Sequence, residues 1–145
     1  MKWHWAVGVM LVLIPVAASG QTLQPLNAKG CLDATEAGAT VTVAGRLTEH
    51  LFAGPPNYAS IAQGDAKGKA FILELPRRIC FADGEFADGS EQFDRVHVSA
   101  MDEGLRRVLR ASVGRDVVLM GEAMGSHTGH HHAPMALFAR SITVR

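Results

Sequence analysis

Four of the chain's seven histidines, His127, His130, His131 and His132, fall within six consecutive positions of the segment SHTGHHHAP. Imidazole is the commonest protein ligand for transition metals and the side chain most easily charged near neutral pH, so this segment is the first place to look for chemistry. In an extended strand His130 and His132 share one face and His131 takes the other. A turn at Thr128-Gly129 would fold His127 back towards that pair. Three neutral imidazoles at about 2.0 to 2.1 Å from an ion suit Zn²⁺, Cu²⁺ or Ni²⁺ and leave a fourth position open. The spacing therefore marks His127, His130 and His132 as candidate metal ligands and His131 as a candidate ligand-contacting residue. Two other readings stand beside it: imidazoles that hydrogen-bond nearby backbone, and an exposed loop whose charge rises below about pH 6.5. His50, His97, Glu49 or Glu122 would complete a metal site only if the fold brings them close.

A second unusual segment is FAGPPNYAS, residues 52–60. Pro55 and Pro56 fix their own backbone angles and restrict the residues before them, which stiffens the loop. Asn57, Tyr58, Ser60 and Asp65 can then present hydrogen-bonding groups to a ligand at little ordering cost. The plainer alternative has Tyr58 capping the core edge and Asp65 starting a turn. Other catalytic signatures are missing. No HExxH motif accompanies the histidines, no serine sits in a nucleophile elbow, and no glycine loop matches a phosphate cradle. The acidic run Asp83 to Gly89 departs from EF-hand spacing, because the fifth loop position is Ala87 and no glutamate stands at the twelfth. Arg106, Arg107 and Arg110 read as a solvated helix face with Asp102 and Glu103 as neighbours.

These residues need a scaffold and a compartment. Lys2, an uncharged apolar run from Ala6 to Ala18, and the small residues Ala18, Ser19 and Gly20 form the layout of a cleaved secretory signal peptide over residues 1–20. A retained N-terminal anchor is the alternative, though the apolar run is short for a membrane span. Cleavage leaves about 125 residues, one domain's worth, in a periplasmic or secreted setting. Fourteen basic and fourteen acidic side chains cancel over the full chain. That balance offers no footprint for nucleic acid. Cys31 and Cys80 are an even pair in an exported chain and most simply form a disulfide, a free nucleophilic cysteine being the rival reading. Closing a loop of about 50 residues contributes roughly 4 kcal/mol in the chain-entropy model.

Alternating apolar residues predict strands over 40–47, 69–75, 95–99, 117–124 and 136–144. Between the third and fourth, Met101, Leu105, Val108 and Leu109 fall at helical spacing, with Ser99 placed to cap and Gly114 to stop. Five strands with a helix between the third and fourth predict a mainly β fold, a small five-stranded Greek-key barrel of the OB-fold type, with another small antiparallel sandwich as the alternative. Residues 21–39 form a lead-in and residues 40–145 the domain. Gly45 and Gly121 stand where barrel strands must bend. The loop over 48–68 and the histidine loop are then the two that flank the usual ligand face of this fold.

The segments VTVAGRL, FAGPPNYASIAQGD, FILELPRRIC, VGRDVVLMGEA and HTGHHHAPMAL, in that order, resemble the bacterial family called domain of unknown function 4431. The resemblance runs from Cys31 to about Val144, with GPPNY and HTGHHH its most specific pieces. The stretch Pro134-Met135-Ala136-Leu137 departs from the β-branched run expected after the histidines. The resemblance implies an exported envelope domain with no established activity. Together these readings predict an exported binding module that recognises an envelope protein, peptide or glycan through two loops, with a divalent metal at the histidines as an added element. A metal-dependent hydrolase and an inhibitor- or immunity-type plug for an enzyme cleft are the alternatives.

Overall fold

In a computed structural model the chain is described over residues 22–33, 39–82 and 86–145. The leader expected over residues 1–20 lies outside the described residues. Six strands and one helix follow in order: β1 (Cys31–Leu32), β2 (Thr40–Ala53), β3 (Lys67–Phe81), β4 (Phe93–Ser99), α1 (Glu103–Ala111), β5 (Asp116–Gly125) and β6 (Met135–Val144). β2 pairs antiparallel with β3 and with β5, β3 pairs antiparallel with β4, and β5 pairs antiparallel with β6. A parallel pairing of β4 with β6 closes the ring. Five strands in the cyclic order β2-β3-β4-β6-β5, with a helix between β4 and β5, make the expected OB-fold-like arrangement.

The core follows from period-two patterning. Val41, Val43 and Leu47 of β2, Leu73 of β3, Val96 and Val98 of β4, Val117 and Leu119 of β5 and Leu137 of β6 all point inward and are buried. Position 45 lies on the same inward row, where a Cβ would collide with the Glu74 carbonyl and press on Leu73. At position 121 a Cβ would collide with Phe138 and Ala139, and the β5–β6 register shifts there. Both glycines thus sit where the chain closes on itself.

β2 runs six residues past its predicted end and pairs through Ala53 with Lys67. The apolar alternation fades after Leu47 because the outer end of the strand carries Thr48, His50 and Phe52 rather than core residues. The first long loop therefore shortens to residues 54–66. The helix begins later than Ser99, which is still paired in β4 with Phe138. Asp102 is the cap and accepts from the Leu105 N–H at 2.7 Å. Met101 and Val108 are exposed, and Leu109 is the one fully buried helical residue. The predicted apolar face is therefore narrower than four residues. Arg106 and Arg110 both pair with Glu103.

The lead-in is packed into the same core through Leu32, with Leu26 against it. β1 pairs parallel with β3, Cys31 lies directly opposite Cys80, and the two form a disulfide across 49 positions. Among the described residues no helix is long and apolar enough to cross a membrane. The closure geometry makes a specific prediction. Gly121→Ala costs roughly 1–3 kcal/mol by overpacking, whereas Gly68→Ala, whose Cβ meets nothing nearer than the Phe52 carbonyl at 3.8 Å, leaves the urea midpoint almost unchanged. Equal effects of the two substitutions contradict the assigned strand crossing.

Candidate functional site

The loop over residues 54–66 is closed at its base by two backbone bonds, Gly54 N–H to Ala66 at 2.6 Å and Ala66 N–H to Pro55 at 2.8 Å. Its interior is organised by Asp65, which is 5% exposed. One carboxylate oxygen accepts from the Asn57 backbone N–H at 3.0 Å and the Asn57 side-chain amide at 3.1 Å. The other accepts from the Ala59 and Ser60 N–H groups, both at 2.8 Å. Hydrogen bonds to the charged form favour it. The Ser60, Ala59 and Asn57 donors accordingly hold the carboxyl below its ordinary range. Asp65, expected among the ligand-contacting groups, spends both oxygens inside the loop, and Ser60 meets it through its backbone. Asn57 and Tyr58 are what the brace presents outward. Tyr58 takes a left-handed backbone (φ 56°), a conformation a bulky residue adopts only when its surroundings hold it.

Tyr58 is held by the histidine loop. A Cβ at Gly129 would lie 3.2 Å from Tyr58 Cγ and 3.3 Å from Cδ2, so the ring rests against bare backbone. The Tyr58 hydroxyl stands 3.3 Å from His130 Nε2, and the two rings meet edge-on with centroids 4.6 Å apart. Segments 72 residues apart are thus joined into one mouth, as the barrel placement of the two loops predicts.

The remaining histidines do not form the expected three-ligand set. The His131 N–H donates to the Thr128 carbonyl at 3.1 Å, so the segment turns rather than running extended. His127 packs on His131, His132 packs on His97, and His130 goes to Tyr58. No three His, Cys, Asp or Glu side chains converge as a metal group among the described residues. Two backbone donors instead use imidazole acceptors: the His132 N–H reaches His97 Nδ1 and the His127 N–H reaches His131 Nδ1, each at 3.3 Å. A ring accepting at Nδ1 carries its proton on Nε2 when neutral. His127 Nδ1 faces the Gly125 carbonyl at 3.2 Å, the arrangement of a donor.

Phe52 and Phe86 extend this set beyond the residues expected from sequence. Phe52 stacks on His132 at 4.0 Å with planes 4° apart, and Phe86 stacks on His127 at 4.2 Å. Ring contacts therefore run without a break from His50 through Phe52, His132, His97, His131 and His127 to Phe86. Phe52 was detectable in principle, because His50 and Phe52 continue the outward row of β2. Phe86 has no such signal: it arrives because its carbonyl lies over Gly125, where a Cβ would collide with it.

Residues 95–143 match the family model described as domain of unknown function (DUF4431). The predicted family resemblance is shown over that stretch. The DUF4431 match includes His97 and the whole histidine loop, while Phe52, Asn57, Tyr58 and Asp65 precede it. The mouth is therefore built jointly by the matched segment and the strands and loop before it. No curated protein matches the chain. Among solved structures, a small single-stranded DNA-binding protein from Streptomyces coelicolor is similar at 14% identity and a TM-score of 0.43, over 76% of this chain and 95% of that one.

Packing sets the charge state of the ring row within the DUF4431 stretch. Burial, reinforced by His132 and His131, lowers His97 to about 4. Burial first, then neighbouring imidazoles, also lowers His131 and His132. An unfolded chain binds protons at these rings near pH 6.5 while the folded chain does not. Stability is therefore complete above about pH 6.5 and falls as the pH drops towards about 4, by an amount on the order of 1–2 kcal/mol for a half-buried ring screened by solvent. Urea midpoints at pH 7.5 and 4.5 check this, and His97→Phe flattens the difference. A midpoint that is constant or rises on acidification contradicts it.

Proposed function

We propose that this protein is an exported, periplasmic or secreted binding module that recognises an envelope component through the joint surface of its two long loops. The observation that carries the reading is the contact of Tyr58 with His130 and with the backbone of Gly129. It turns two loops into one preorganised surface. Preorganisation matters because ordering loops on binding consumes interaction energy, and a surface already held in its bound shape avoids that loss. The Asp65 brace and the paired prolines supply rigidity on one side, and the turn from Thr128 to His131 supplies it on the other. Export rests on the leader pattern of residues 1–20 and on the Cys31–Cys80 disulfide, which belongs to an oxidising compartment.

Within the histidine segment, the backbone donors of His127 and His132 hold the rings of His131 and His97. A second reading, a plug for an enzyme cleft, is favoured by the braced loop, whose Pro55, Pro56 and Asn57 stand exposed. Both readings place recognition at Asn57 and Tyr58. In co-sedimentation with isolated envelope fractions, the wild-type protein is retained and a Tyr58→Ala, His130→Ala double variant with an unchanged far-UV spectrum remains in the supernatant. Equal retention of the two proteins contradicts the reading.

A further inference from the structure

The ring row on the outer face of the barrel specifies what kind of ligand the mouth suits. In β2, His50 lies opposite Ala70 and Phe52 opposite Gly68; in β4, His97 lies opposite Ala136 of β6. Ala70, Gly68 and Ala136 are small, while on its other side His97 lies opposite the buried Ile72 of β3, so the rings rest on an apolar part of the sheet. Phe52, His97, His131 and His132 are half-buried, and His127, His130 and Phe86 are exposed. The row is a sequence of stacked and edge-on rings, and two of its members, His131 and His132, directly follow His130, which meets Tyr58.

Its charge is as informative as its shape. Among the described residues the successive contacts of the row pass from ring to ring without a lysine or arginine between them. Of the nearby cations, Lys69 is paired with Glu49 at 2.7 Å, Lys67 lies opposite Ala53 at the end of β3, and Arg95 lies opposite Glu74, whose carboxylate is also 3.8 Å from His50, so acidic and basic groups are mixed along the row. Single-stranded nucleic acid is bound by aromatic platforms that run along a basic groove, because phosphate neutralisation supplies most of the affinity. This surface has the platform without the groove.

We propose that the platform takes an uncharged glycan, with sugar rings packed by their C–H faces on the sides of Phe52 and Phe86 turned away from His132 and His127, and their hydroxyls met by ring nitrogens and Tyr58. This inference rests on the two-loop reading above and gives it a ligand class. A pyranose has one apolar face and a polar rim. Aromatic rings offer an apolar face, and with Nδ1 of His97, His127 and His131 held by backbone each of these imidazoles keeps Nε2 at its edge for a hydroxyl.

Titration calorimetry of the purified protein with chitohexaose, cellohexaose and a twelve-residue oligothymidylate tests the assignment. The expected result is saturable binding of at least one glycan at neutral pH, weakened about tenfold by Phe52→Ala and also weakened by Phe86→Ala, an exposed site where folding is not at issue. Tighter binding of the oligothymidylate, no binding of either glycan, or glycan binding indifferent to both variants overturns it. Envelope retention that depends on Tyr58 and His130 in the absence of glycan binding removes the glycan and leaves the two-loop reading standing.

Discussion

Asp65 is the one buried carboxylate in the described structure, and the shape of the first loop depends on how its charge is satisfied. A carboxylate removed from water is tolerated only when donors replace the lost hydration, and bonds to a charged acceptor are stronger than neutral ones. Here four donors from Asn57, Ala59 and Ser60 do so, and they come from one short stretch of chain. Satisfying the charge therefore fixes the backbone on either side of Tyr58. That in turn sets the left-handed geometry of Tyr58 and the direction in which its ring leaves the loop.

From Tyr58 the dependence runs to the other loop. The ring lies on Gly129, and the absence of a Cβ there lets the two segments come together. The barrel supplies the distances. Its strands approach closely at Gly45 and Gly121, and the loops leaving β2 and β5 are the two that meet. Gly125 adds a third participant by admitting the Phe86 backbone over the end of β5. Four glycines at close approaches, Gly45, Gly121, Gly125 and Gly129, and one charged hub thus account for why rings far apart in sequence form a continuous row.

Much of this architecture was legible in the residues. Alternation of Val41, Val43 and Leu47, of Val96 and Val98, and of Val117 and Leu119 reports burial on one face, and burial on one face is what a barrel interior imposes. The strands and the pairing of two particular loops follow from that, the helix from its own apolar spacing, and the disulfide from an even pair of cysteines in a chain with a leader pattern. What was not legible depends on contacts between distant segments. The extension of β2 to Ala53 is hidden because its outer end faces solvent and other rings rather than the core. The histidine spacing reads as a strand-borne ligand set, yet one turn from Thr128 to His131 redistributes the rings among Tyr58, His97, Phe52 and Phe86. Asp65 reads as a ligand-facing acid because sequence alone does not reveal that its donors come from three residues just before it. His97 is an ordinary strand residue until β6 and the histidine loop arrive beside it.

The central claim is that the two loops form a single mechanical and chemical unit, with Asp65 holding one side and Tyr58 transmitting its state to the other. The most direct measurement is a comparison of backbone amide and imidazole NMR shifts between the wild-type protein and Asp65→Asn, which removes the charge and keeps the side-chain size. The account predicts shifts throughout residues 54–66 that continue into Gly129, His130 and the Tyr58 ring, with the barrel strands unchanged. Perturbations confined to residues 54–66 contradict it, because the loops are then neighbours rather than one surface.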